Sequence, residues 1–153
     1  MRGLPSSVSS FLFKMLHQLL PTQDRIRRIG VGDMGQPGLC QLCHLQGEDT
    51  SHALFYCHHS LIGAHALLGY IQTRIPNFSV DDALKLRLGE VSEQEEQAVV
   101  CTLGTGLMHI WQARLEKKQV YLYKMRAELE AMVSVLRKSR HKNVGEIIAS
   151  MLN

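Results

Sequence analysis

Residues 40–57 read CQLCHLQGEDTSHALFYC and hold three of the chain's four cysteines. Cys40 and Cys43 are separated by two residues, a spacing that lets the chain turn back and aim both sulfurs at one ion. His52 and Cys57 follow as a second pair. The pattern Cys40-x2-Cys43-x8-His52-x4-Cys57 supplies three sulfurs and one nitrogen, the donor set of structural Zn2+. Thiolates select a soft or borderline ion over magnesium or calcium. Four protein ligands leave no open position for water, so such a site holds shape and does not hydrolyse. The competing reading is three buried thiols beside an unrelated histidine. His44, His58 and His59 lie close, and His58 could replace Cys57 by a one-residue shift. A regular helix starting at His52 would carry residue 57 about 140° round its axis, so the helix must end or distort before Cys57. Leu42, Leu54 and Phe55 form the expected apolar shell. Cys101, far off in an apolar stretch, reads as an ordinary core thiol.

Outward from this stretch, the bulk numbers describe a folded chain. It has 153 residues, 45% hydrophobic and 20% charged, with a formal net charge of +3. That balance is unlike a disordered chain and too mildly basic to identify a nucleic-acid binder by itself. Clustered cysteines without a secretion signal favour metal over disulfide. The opening MRGLPSSVSSFLFKMLHQLLP is basic and then apolar, like a weak targeting peptide. Lys14 and His17 interrupt it and no small-residue cleavage site follows, so a structural helix is the reading. The least charged apolar run, Ala98 to Trp111, is too short to span a bilayer. The expected location is nucleus or cytoplasm, not secreted, with no membrane.

The chain reads as helix after helix. Phe11, Leu12, Met15, Leu16, Leu19 and Leu20 share a face of a first helix, capped by Ser9, Ser10 or an earlier serine and ended by Pro21. Thr22 caps a short helix, TQDRIRRI, which Gly30 stops. The glycine-rich VGDMGQPGL is a loop. Thr50 or Ser51 caps a segment through HALFYC, and Ser60 caps LIGAHALLGYIQTRI. Ser79 with Asp82 and Ser92 with Glu95 form capping boxes; Gly89 closes the first, and the second opens a long stretch reaching toward Arg140. There Val100, Leu103, Leu107 and Ile110 make one stripe, and Leu122, Met125, Leu129, Met132 and Leu136 another, slightly out of phase. Arg114, Lys117 and Lys118 interrupt them. One helix packing two faces, two helices, or a coiled coil with a stutter would each do this. Gly104 and Gly106 fit a continuous helix only where another backbone packs closely. EIIASML after Asn143 or Gly145 is a short final helix. The expected fold is all-α: short helices around a CCHC zinc knuckle, then a long C-terminal helix or helical hairpin. The division falls at 1–76 for the knuckle and its helices and 77–153 for the helical remainder.

The run LFKMLHQLLPTQDRIRRIG, then CQLC, then EDTSHALFYC closely resembles the zinc-binding region that follows the reverse transcriptase in non-LTR (LINE-type) retrotransposons. The features that match are Leu20, Pro21, Thr22, Asp24, Arg25, Cys40, Cys43, Glu48, Thr50, His52, Phe55 and Cys57. Asp49 splits the Glu-Thr pair of that pattern. Ile110 to Arg114, IWQAR, resembles a Trp-x-x-Arg feature of some members. The close match spans roughly residues 8 to 60, and nothing in the chain resembles the polymerase itself.

The resemblance implies a module that helps an upstream reverse transcriptase hold template RNA or target DNA. Lys14, Arg25, Arg27 and Arg28 are its candidate phosphate contacts, against the plain reading of a solvated helix face. A second basic group runs from Arg137 to Lys142, and suits a helix C-terminus electrostatically. Tyr56, Tyr70, Tyr121 and Tyr123 are candidate stacking aromatics, although aromatics at helical spacing commonly belong to a core. The alternative reading is a protein-interaction module that homodimerises through its C-terminal helix. An enzyme is not expected. Asp81, Asp82, Glu93, Glu95 and Glu96 sit in capping positions, and no nucleophile or glycine-rich phosphate loop accompanies them.

Overall fold

The structure, a computed structural model, describes residues 4–30 and 38–153; most of the glycine-rich loop expected at 31–39 lies outside them. Helix α1 (Ser6–Leu16) starts directly after Pro5, with no serine side chain capping it. Proline suits that position because its fixed φ is preorganised and its missing N–H is not needed. Val8, Phe11, Leu12 and Met15 form its buried face. Helix α2 (Gln23–Arg28) has the expected cap, with Thr22 Oγ1 accepting from the Arg25 amide at 3.3 Å. A single wide turn (His52–Tyr56) leads to α3 (His58–Gln72). Helix α4 (Val80–Lys85) and helix α5 (Glu93–Leu115) both open on complete capping boxes, at Ser79/Asp82 and Ser92/Glu95. Helices α6 (Leu122–Arg137) and α7 (Lys142–Leu152) complete the described fold, which is all-α apart from one isolated bridge between Leu39 and Gly47.

The helix stops differ from those expected. Helix α1 ends at Leu16, ahead of Pro21, and α4 ends near Leu86, ahead of Gly89; the stretch from Ser92 takes one of its expected forms, two helices, broken at 116–121. Gln18, Leu86 and Lys117 have φ of 53°, 48° and 53°. Each terminates its helix by the double bond of a Schellman motif. At α5 the Lys118 amide donates to Ala113 O and the Lys117 amide to Arg114 O. Glycine is the usual residue there and its absence hid all three ends.

Helix α5 runs through the middle, packed on α1, α3, α6, α7 and the turn at 52–56. It is buried all round from Ala98 to Leu107, so buried residues also lie outside the stripe of Val100, Leu103, Leu107 and Ile110. Its glycines make room for side chains, not for another backbone. A Cβ on Gly104 would stand 2.7 Å from Val8 Cγ1, and one on Gly106 2.5 Å from Leu67 Cδ1. Cys101 is a core thiol, pushed up to about 11 by burial. Helix α6 turns Met125, Leu129, Val133 and Leu136 inward. Helix α7 begins earlier than expected and lays Gly145 against Val133, Leu136 and Arg137 of α6.

Candidate metal centre

The knuckle is built from local hydrogen bonds. The Cys40 amide donates to Gln46 O at 2.8 Å and the Glu48 amide to Gly38 O at 2.9 Å, closing a small loop. Inside it the His44 amide donates to Cys40 O at 3.0 Å, with His44 at φ 55°. The amides of Leu42 and Cys43 each reach Cys40 Sγ at 3.4 Å. The Cys-x2-Cys spacing thus turns the chain back on itself.

The second half solves the register problem posed by a regular helix. Asp49, not Thr50 or Ser51, caps it: its Oδ1 accepts from the His52 amide and from Ser51 Oγ, both at 2.7 Å. The residue that splits the family's Glu-Thr pair therefore has a structural task. The turn then widens, and the Cys57 amide donates to His52 O at 2.7 Å, a five-residue reach. A π-turn of this kind carries the fifth residue back over the first. Cys57 itself is extended, at φ −63° and ψ 134°, which frees its side chain from the helix surface. Ser60 is buried and donates to Ala53 O at 2.6 Å; it ties α3 to the turn and does not cap α3.

The ligating atoms of Cys40, Cys43, His52 and Cys57 all lie within 4.8 Å of one another. Cys40 Sγ and Cys57 Sγ are 3.8 Å apart, and Cys43 Sγ and His52 Nε2 3.4 Å. A tetrahedron with Zn–S of about 2.3 Å and Zn–N of about 2.05 Å has edges of roughly 3.8 and 3.5 Å. The donor set fits zinc in both chemistry and spacing. His44, His58 and His59 are outside the cluster. Of the expected shell, Leu54 and Phe55 are buried in the main core, while Leu42 is half-buried.

Sequence reasoning missed a second layer. Arg114, at the end of α5, donates from Nη2 to Cys40 Sγ at 3.0 Å and forms an ion pair with Glu48. Both side chains are almost fully buried, at 5% and 4% exposure. Glu48 also accepts from the Gln23 amide at 3.2 Å and the Gln41 amide at 3.1 Å. One carboxylate thereby joins the start of α2, the knuckle and α5. Burial raises the Cys40 thiol, but the Cys43 and Leu42 amides and the Arg114 guanidinium outweigh it and bring Cys40 down to about 6. Burial and the neighbouring Cys40 raise Cys57. Burial opposes the charge on Arg114, but Cys40 and Glu48 more than offset it. Three thiolates on one dication leave a net negative charge, and this guanidinium stands against it. The available signals were Arg114 breaking an apolar stripe and the Trp-x-x-Arg resemblance.

The proposed phosphate contacts are placed unequally. Lys14 and Arg27 are exposed. Arg25 Nη1 donates to Leu19 O at 3.0 Å, and Arg28 pairs with Asp24 at 3.1 Å. In the C-terminal basic group Arg137 is held by Glu146. Of the acids expected in capping positions, Asp82 and Glu95 are held in their capping boxes and Asp81 pairs with Lys85 and Arg87.

Residues 1–62 match the zf-RVT family, described as zinc-binding in reverse transcriptase. That segment contains the whole Cys3His cluster and is 62 of the 153 residues. The N-terminal part of this chain is thus similar to that zinc-binding family, and the similarity covers the donor cluster. No curated protein and no solved structure matches the chain. Among the described residues no helix is long and apolar enough to cross a membrane.

Proposed function

We propose that the chain is a zinc-stabilised module of a retroelement reverse-transcriptase region that holds nucleic acid, template RNA or target DNA, beside the polymerase. The observation that carries this is that the matched segment contains all four clustered donors. Zinc has a structural part here: Cys40, Cys43, His52 and Cys57 would hold it, and no catalytic step is assigned to it. Lys14, Arg25, Arg27 and Arg28 are the proposed phosphate contacts. Lys14 and Arg27 are the freest to reach a ligand, whereas Arg25 also closes the end of α1. The dimer reading is less favoured, because Met125, Leu129 and Leu136 of the α6 stripe are buried inside the same chain.

The test is binding of zinc-loaded protein to a labelled RNA hairpin and a DNA duplex at low and moderate salt. Binding should fall steeply with salt. Replacing Lys14, Arg27 and Arg28 together by Ala should weaken it and flatten the log–log salt slope by up to ~3. Absence of binding to either at low salt would remove the proposal.

A further inference from the structure

The turn between α5 and α6 and the start of α6, Glu116 to Lys124, have the sequence EKKQVYLYK. Three lysines stand there against one glutamate, interleaved with two tyrosines. Tyr121 and Tyr123 are 44% and 68% exposed. Their rings lie 5.8 Å apart, with Lys124 Nζ 5.1 Å from one centroid and 5.9 Å from the other. Beside Tyr121 opens a cleft of ≈ 210 Å³, whose wall includes Gln112, Gln119, Lys118 and Lys124. Its two carboxylates already have partners, Glu116 with Lys118 and Glu128 with His109.

The turn is fixed on both sides. Arg114, two residues before it, is anchored at the metal centre through Cys40 and Glu48. Val120, in its middle, is buried against Gly63 of α3, where a Cβ would come within 2.7 Å of it. Tyr123 leaves most of its surface, and Tyr121 nearly half, open to solvent on this basic turn. Amide side chains lining a cleft beside a tyrosine face offer donors and acceptors to the edge of a flat heterocycle.

We infer that this turn is a binding site for single-stranded nucleic acid, one base entering the cleft against Tyr121, the next stacking on Tyr123, and the lysines facing the phosphates. Stacking on aromatics tolerates any base and needs unpaired ones, so the site prefers single strands over duplex. It rests on the nucleic-acid reading above but uses a different surface from the α2 arginines.

The experiment measures binding of full-length, zinc-loaded protein to labelled 12-nucleotide RNA and DNA single strands, and to a 12-unit abasic strand of equal charge. The wild type should bind the base-bearing strands at least ~10-fold more tightly than the abasic one. Tyr121→Ala with Tyr123→Ala should erase that preference; Tyr121→Phe with Tyr123→Phe should keep it. The stronger of the RNA and DNA arms identifies the natural strand. Equal binding of abasic and base-bearing strands, or an unchanged preference in the alanine pair with an intact circular dichroism spectrum, would overturn the inference while leaving the α2 reading in place. A wild type that binds neither these strands nor the hairpin and duplex would overturn both.

Discussion

The knuckle at 38–57 and the helical bundle of α5, α6 and α7 are held together by different physics. The bundle is largely apolar: Leu103, Leu107, Ile110, Leu129 and Ile148 are all fully buried, and side chains fill the space that Gly104 and Gly106 leave. Its stability comes from apolar burial and dispersion, forces without direction. The knuckle buries few large side chains of its own between residues 38 and 51 and exposes Leu45. It is organised by amides aimed at Cys40 and Glu48 and by four metal-type donors. Such directional groups bring order where they are paired, and a buried polar atom left unpaired is costly; among the described residues His52 Nδ1 and Arg114 Nη1 are buried without a hydrogen-bond partner. The difference teaches why Arg114 matters. It is the point where the bundle reaches into the knuckle and meets its charge.

Removing zinc should separate the two regions most. Chelation of the metal-loaded protein is expected to lower the local opening free energy of residues 38–57 by ~10 kcal/mol, as for small structural zinc sites. Hydrogen exchange should then report an open knuckle beside protected α5 and α6. Protection of the knuckle amides that survives chelation or Cys40→Ser would show that metal is not what holds it.

The next largest effect addresses the link. Arg114→Met leaves Glu48 buried without its partner, and should cost ~3–5 kcal/mol in denaturant unfolding. Zinc affinity, read by chelator competition, should fall ~10-fold or more. Adding Glu48→Gln should recover part of the stability. A loss of stability with zinc affinity untouched would make Arg114 a packing residue only. The smallest change sharpens the contrast from the other side. Leu129→Ala, deep in the bundle, should cost about 3 kcal/mol and leave zinc affinity within about twofold.

Much of this molecule is legible in its residues, and the reasons are local. The capping boxes at Ser79/Asp82 and Ser92/Glu95 and the Thr22 cap form as expected, because side chain and amide lie within one turn. Cys40, Cys43 and His52 are named by their spacing, with Cys57 as fourth donor and His58 as its alternative, and the demand that the helix distort before Cys57 follows from helical geometry alone. The helix ends at Gln18, Leu86 and Lys117 were not legible. A non-glycine residue at positive φ is intrinsically unfavourable by roughly 1–2 kcal/mol, and only the surrounding packing makes it worthwhile. The division of α5 from α6 was one of three readings that the out-of-phase stripes left open, and only the packing selects it.

The sequence by itself determined an all-α chain with a Cys3His cluster, since both depend on neighbours a few residues apart in the chain. The tertiary structure alone decided which charged groups complete that cluster. Glu48 and Arg114 are 66 residues apart, and nothing in the spacing of either predicts the other. Their pairing exists because α5 crosses the knuckle, buries both side chains, and sets the guanidinium between the Glu48 carboxylate and the Cys40 sulfur.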